Sequence, residues 1–378
     1  MHYKIFILFS AALLYSCVND NEIDPSTILS ARTVLVYMVA ENNLYRNALQ
    51  NIEEMQAYTE PVNGNLLVYL DAPSTSTDSV PHLFKIENDS IITIKKYRQQ
   101  NSASGEVLQS VINDVTATFP ATEYGLILWS HGTGWLPEGV FDTFKKTNVS
   151  KLRSFGLDNE NEMNLIELEQ SLPVNFEFII FDACLMGGIE VAYQLRGKTN
   201  YLLASPTETL VVGFPYTQTV PLLFSQVVDY YEIAKTFIDY YESQTKDFLK
   251  SASLTVIDTR GLTALANLAS QLVDNRAITI SDKAYNLLPY EISEPVLYYD
   301  FFSFLKQLTD DETALNQLAK IYSETVVSYE HTDFFLSDLA LTNTTGLNFF
   351  IFPFYDENLF SEYKQIDWYA DTGFVVKN

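Results

Sequence analysis

The sequence predicts an α/β fold, a mainly parallel sheet flanked by helices, on three observations. Long, mostly apolar runs recur at residues 33–40, 65–71, 124–130 and 177–182. Strands covered on both faces read this way, whereas half-wet strands alternate. Segments with apolar residues at helical spacing lie between these runs, and such alternation implies parallel strands joined by right-handed crossovers. The composition, 47% hydrophobic and 19% charged over 378 residues, supplies a substantial core. At roughly 150 residues per domain, this length allows two domains.

The first sixteen residues read as a signal rather than as fold. Lys4 precedes an apolar run from Ile5 to Tyr15, too short to cross a bilayer. Leu14-Tyr15-Ser16-Cys17 resembles a bacterial lipobox, which implies cleavage before Cys17 and lipidation of its sulfur. A polar tether with Pro25 fills 17–31. The first buried strand, 33–40, is followed by Asn42 and Asn43 as candidate caps. A helix then presents Leu44, Ala48, Leu49, Ile52 and Met55 on one face. Strand 65–71 leads to two shorter extended runs, 82–87 and 91–95. Ser104 opens a helix with Val107, Leu108, Val111, Ile112 and Val115 inward. Strand 124–130 ends on His131, and a long polar segment runs from Trp135 to Leu157. Residues 164–172 are helical, strand 177–182 ends just before Cys184, and strand 201–204 enters the loop 205–216. Helices at 227–245, 262–273 and 314–329 and strands at 254–258 and 346–352 complete the chain. The expected division is a catalytic domain over 32–250 and a C-terminal α+β extension, 251–378, packed on it.

Beyond the lipobox cysteine the chain has one other, Cys184, and only three histidines after the signal: His82, His131 and His331. H-E-x-x-H, paired C-x-x-C, P-loop, G-x-G-x-x-G and G-x-S-x-G patterns are absent, so the sequence indicates no metal centre and no nucleotide site. A calcium requirement is not readable, and no cofactor is expected. Cys184 follows the strand end Phe181-Asp182-Ala183, and His131 ends another buried strand before Gly132-Thr133-Gly134. Taken singly, each has a plain alternative: a small buried hydrophobe for the thiol, a hydrogen-bonded junction residue for the imidazole. Together they lie 53 residues apart with one crossover between them, which brings both to the same rim of the sheet. A thiol and an imidazole suffice as nucleophile and general base.

The blocks Leu126-Ile127-Leu128-Trp129-Ser130-His131-Gly132-Thr133-Gly134-Trp135 and Phe181-Asp182-Ala183-Cys184-Leu185-Met186-Gly187 resemble the two catalytic blocks of clostripain-like cysteine peptidases. These are relatives of caspases, gingipains and legumains with a caspase-like fold. Leu203-Ala204-Ser205-Pro206-Thr207-Glu208 and Thr345-Gly346-Leu347-Asn348-Phe349-Phe350-Ile351-Phe352-Pro353 add to the likeness, which covers roughly Arg32 to Trp368. The resemblance implies Cys184 as nucleophile and His131 as general base and acid. It also implies an oxyanion hole from the N–H groups of Gly132 and Cys184, and cleavage after arginine or lysine. Asp182 matches the acidic residue of the family's S1 pocket, with Glu208 a second candidate. The alternative for Asp182 is a strand-end carboxylate that accepts from a helix N-terminus. The chain departs from the family at Thr209-Leu210-Val211-Val212-Gly213-Phe214, where a Gly- and Trp-rich segment is common.

The resulting expectation is a cell-envelope cysteine endopeptidase, exported and lipid-anchored at Cys17, acting on peptides or proteins with basic residues. The alternative from another class is a catalytically silent surface lipoprotein that keeps the fold to bind a peptide or partner. A net charge of −25 argues against nucleic acid. Relatives of this fold are often activated by a cut between the histidine and cysteine strands. Lys145, Lys146, Lys151 and Arg153 mark that segment as a self-processing candidate.

Overall fold

In the computed structural model, the structure describes residues 29–58, 62–74, 76, 80–137, 140, 155–159, 161–273, 277–354 and 356–378. The signal segment, Cys17 and the basic residues Lys145, Lys146, Lys151 and Arg153 lie outside the described residues.

Nine strands form one sheet: β1 (Ser30–Val39), β2 (Gly64–Asp71), β3 (His82–Glu87), β4 (Ser90–Lys96), β5 (Ala121–Trp129), β6 (Phe176–Asp182), β7 (Thr199–Ala204), β8 (Ser253–Asp258) and β9 (Val326–His331). Their order is β9-β8-β7-β6-β5-β1-β2-β3-β4. The middle five, β7-β6-β5-β1-β2, are parallel. Antiparallel strands close both edges.

The unbroken apolar runs follow from burial on both faces. Leu35, Tyr37 and Val39 of β1 pack into one core, together with Leu108, Val111 and Val115 of α2 (Gly105–Thr118). The intervening Val34, Val36 and Met38 pack into the other, with Ile52 and Met55 of α1 (Tyr45–Gln56). The first core continues through α3 (Leu165–Gln170) and α4 (Ile189–Leu195), the second through α5 (Tyr216–Leu223) and α6 (Tyr230–Glu242). Burying each such aliphatic side chain contributes about 1.5–3 kcal/mol.

Some expectations needed revision. Residues 326–329, expected at the end of a helix, are the first part of β9, because Val326 and Val327 suit an edge strand; Val326 pairs with Ile257 of β8, and Val327 lies at a bulge before Ser328 pairs with Val256. The helix before it stops at Thr325, whose hydroxyl donates to Ile321 O at 2.8 Å. Helix α5, with Pro221 inside it, had no clear periodic signal. The expected division at residue 250 falls inside one hydrogen-bonded sheet, since β8 and β9 follow it. Neither asparagine after β1 caps α1, whose N-cap is Leu44. Asn42 Oδ1 accepts from Leu44 N at 2.8 Å, and Asn43 turns elsewhere. No described helix is long and apolar enough to cross a membrane.

Candidate active site

The register of the parallel strands assembles the site. Trp129 of β5 stands opposite Asp182 of β6, so His131 and Cys184 each emerge two residues past a matched pair. Ser130 N donates to Asp182 O at 3.3 Å, extending the ladder one step beyond the strands. Both residues therefore reach the carboxyl rim, where the chain leaves the sheet and side chains are free to converge.

Each loop is held by close backbone approach. A Cβ on Gly132 would lie 2.7 Å from Cys184 O, so any larger residue would push the two loops apart. Gly134 has φ +74° and Tyr298 Oη packed against it, whereas Gly132 needs no positive φ. Of the two glycines after His131, only Gly134 takes up a positive φ. Leu185, directly after Cys184, sits at φ +62°, a sparsely populated conformation for a branched side chain. It is fixed there by Leu185 N donating to Thr207 O and Gly187 N to Ser205 O, each at 2.8 Å. The cysteine loop is in this way tied to the loop after β7.

His131 is buried, and its Nε2 lies 2.8 Å from Asn43 Oδ1. With Asn43 presenting an oxygen, Nε2 carries the proton and Nδ1 the lone pair. Burial pushes the imidazole down to about 4. Cys184 is half-buried, and its thiol faces Thr209: Sγ is 3.6 Å from Thr209 O and accepts from Thr209 N at 3.3 Å. Burial, then the charges of Glu208 and Asp182, push the thiol up to about 12, against the opposing Thr209 N–H. The two side chains share a cavity of about 190 Å³ but form no hydrogen bond to each other. At neutral pH this arrangement holds a neutral imidazole and a protonated thiol.

Asp182, Glu208 and Gly132 line the same cavity. Asp182 is buried and accepts from Phe214 N at 3.2 Å and Tyr216 Oη at 2.9 Å. Burial raises its carboxyl to about 6, those two hydrogen bonds oppose the rise, and Glu54 adds to it. Glycine at 213 is required because a Cβ would lie 2.7 Å from Asp182 Oδ2, on a backbone at φ +69°. Asn43 was not anticipated as a partner of His131, since the end of β1 carries no motif that marks it. Thr209 was likewise missed, because it acts through backbone atoms.

A model of the clostripain family (peptidase C11) matches residues 36–334. Clostripain of Hathewaya histolytica is 29% identical over 229 residues, 52% of this chain, and the chain spans 41% of that protein's length. Among solved structures, an inactive zymogen C11 protease from Parabacteroides distasonis is 30% identical. It has a TM-score of 0.75 over 91% of this chain and 98% of its own. A secreted C11 cysteine protease from Bacteroides thetaiotaomicron, in complex with an irreversible peptide inhibitor, is 28% identical. Its TM-score is 0.73 over 90% and 98%.

Proposed function

The chain belongs to the clostripain family of cysteine proteases and has their caspase-like fold, and from that membership we propose an exported endopeptidase that cleaves after arginine or lysine. Cys184 is the nucleophile and His131 its base. The observation that carries this reading is one acidic cavity containing a thiol, an imidazole with an available Nδ1, and two carboxylates. Among the described residues, no lysine or arginine lines it.

In the reaction, His131 Nδ1 takes the thiol proton as Cys184 Sγ attacks the scissile carbonyl carbon. The tetrahedral oxyanion is held by the N–H groups of Gly132 and Cys184, each such donor being worth about 10²–10³ in rate. The imidazolium then protonates the leaving amine, the C–N bond breaks, and a thioester remains. Water, giving its proton to His131, attacks the thioester carbon; the C–S bond breaks and the imidazolium returns the proton to sulfur. Asn43 holds the imidazole in the tautomer this sequence requires. The thiol, turned to Thr209 in this structure, must swing toward His131, so the state described is a resting one.

Asp182, with Glu208 beside it, receives the cationic P1 side chain by charge-assisted hydrogen bonds. Export agrees with the secreted relative, and lipid attachment at Cys17 is proposed from the lipobox. The peptide inhibitor bound to that relative supports a peptide substrate.

The test is hydrolysis of fluorogenic peptides that vary only at P1. Turnover is expected with arginine and lysine and lost in Cys184→Ala, whose melting temperature should stay within a degree or so of the parent, since only one sulfur is removed from a half-buried site. Undiminished turnover in Cys184→Ala would end the assignment.

A further inference from the structure

The block Thr345-Gly346-Leu347-Asn348, part of the family likeness, lines no part of the cavity, yet Asn348 lies directly behind the cysteine loop. It begins the short strand Asn348–Phe350, which pairs antiparallel with Tyr298–Asp300 outside the main sheet. Its backbone bridges Gly188, with Asn348 N donating to Gly187 O at 3.0 Å. Two residues on, Phe350 N donates to Glu190 Oε1 at 3.0 Å. The Asn348 side chain is 0% exposed, and its amide nitrogen reaches two loops at once. Nδ2 donates to Pro206 O at 2.8 Å and, less closely, to Leu185 O at 3.4 Å. Both partners are carbonyls, which fixes the orientation of the amide. Its other end gains nothing: Oδ1 receives no hydrogen bond among the described residues, and a Cβ on Gly188 would stand 2.5 Å from it. A buried amide with an unpartnered oxygen is a cost, so the contribution of this side chain lies in its N–H groups.

We propose that Asn348 is a positioning residue for the nucleophile, clamping loops 185–187 and 205–207 together so that Leu185 keeps its left-handed backbone and Cys184 its place beside Gly132. This rests on the peptidase reading of Cys184 and His131 given above. Leu185, at φ +62°, is held on one side by Thr207 O, which accepts from its N–H. On the other side Asn348 donates to its carbonyl. A residue with a side chain stays in that region only where its surroundings over-determine it. The Pro206 end of the clamp matters as much, since the chain runs from there to Thr209, whose N–H and carbonyl face the Cys184 sulfur.

Loss of the clamp frees the peptide units after Cys184 to rotate. The Cys184 carbonyl already packs where a Cβ on Gly132 would stand 2.7 Å from it. A small rotation there alters the spacing of the two N–H groups proposed to hold the oxyanion. Asp182 lies before the loop and keeps its own partners, Phe214 N and Tyr216 Oη. Binding of the P1 side chain therefore persists while the chemical step slows.

The experiment uses the full chain and a fluorogenic peptide with arginine at P1. Asn348→Asp is the isosteric variant without the N–H donors, Asn348→Ala a second, and Ile112→Val, buried in α2, a destabilised control. The kcat per folded molecule, with the folded fraction taken from calorimetry, is expected to fall by about 10-fold or more in both Asn348 variants. KM should stay within about twofold of the parent, and Ile112→Val should match the parent in both. A pH series separates positioning from packing. Once protonated, the carboxyl of Asn348→Asp can donate to Pro206 O, so the ratio of its kcat to the parent's should climb toward acid pH, whereas the Asn348→Ala ratio stays flat. An unchanged kcat in a folded variant, or a flat ratio in Asn348→Asp, overturns the proposal. Failure of both variants to fold also overturns it, because Asn348 would then serve the fold as a whole. Hydrolysis by the parent, and its loss in Cys184→Ala, decide the peptidase reading separately. If the parent is silent, iodoacetamide decides the clamp. Faster alkylation of Cys184 in a folded Asn348 variant than in the parent and Ile112→Val supports it, and an equal rate overturns it.

Discussion

At the scale of single residues, burial governs the chemistry of the site. The same low-dielectric surroundings that hold His131 neutral keep the Cys184 thiol protonated, and Glu208 adds to the second effect. Removing that charge should lower the thiol's affinity for its proton. Glu208→Gln is therefore expected to alkylate faster with iodoacetamide than the parent at mildly alkaline pH, and an unchanged rate would exclude Glu208 as a source of the shift. For Asp182 the sign runs through its raised value of about 6. Below that pH the carboxyl is protonated and cannot pair with a cationic P1 group; above it the charge is present. Preference for arginine over a neutral P1 residue should fall as pH drops through about 6. Asp182→Asn should remove that dependence and lower kcat/KM for arginine substrates by about 10²-fold, as loss of one partner of a buried charge pair does. A mutant that cleaves arginine peptides as well as the parent does would move the role to Glu208.

At the scale of elements, the pairing of β5 with β6 sets the distance between the two reactive loops, and glycine sets how closely they approach. Gly132 packs under the Cys184 carbonyl, with Ala183 and Met186 as further neighbours. Gly132→Ala should force the loops apart by a fraction of an ångström, at a cost of about 1–3 kcal/mol in stability. Misplacement of that size can cost about 10²-fold in rate. Thermal melts and kcat measured together check this; full activity in Gly132→Ala would show that the loops tolerate separation. The strained Leu185 belongs to the same device, because the hydrogen bonds to Thr207 and Ser205 hold a backbone that the sequence alone would avoid.

At the scale of the whole molecule, the segment between the two catalytic strands leaves and re-enters the rim at one place. Gly132 bridges Phe155, and Gly156 N donates to His131 O at 3.1 Å, so both ends of the excursion are anchored beside the histidine. A cut within it would leave two pieces held by one sheet, which is why self-processing at Lys145, Lys146, Lys151 or Arg153 is compatible with a stable product. The parent chain is expected to convert on incubation into two fragments meeting between residues 145 and 154, while Cys184→Ala stays intact. Denaturing gels with mass spectrometry decide it, and a fully active single chain would refute it.

How much of this was legible beforehand follows from what each signal depends on. Burial on both faces leaves unbroken apolar runs, so β1, β2, β5, β6 and β8 could be placed within a few residues from local composition. The position of the proposed reactive residues, His131 and Cys184, just beyond strand ends was legible for the same reason: a strand's end is a local event. Packing and pairing are not local. Which asparagine meets His131, that Thr209 takes the thiol, that 326–331 leaves its helix to join β8, and that Glu41, Asp71 and Asp158 converge all depend on contacts between segments distant in the chain. No residue type announces such a meeting, so the sequence by itself determined most of the central strands and the order of the proposed reactive pair along them. Only the tertiary structure, by bringing remote backbone and side chains into hydrogen-bonding range, decided the state in which that pair is held.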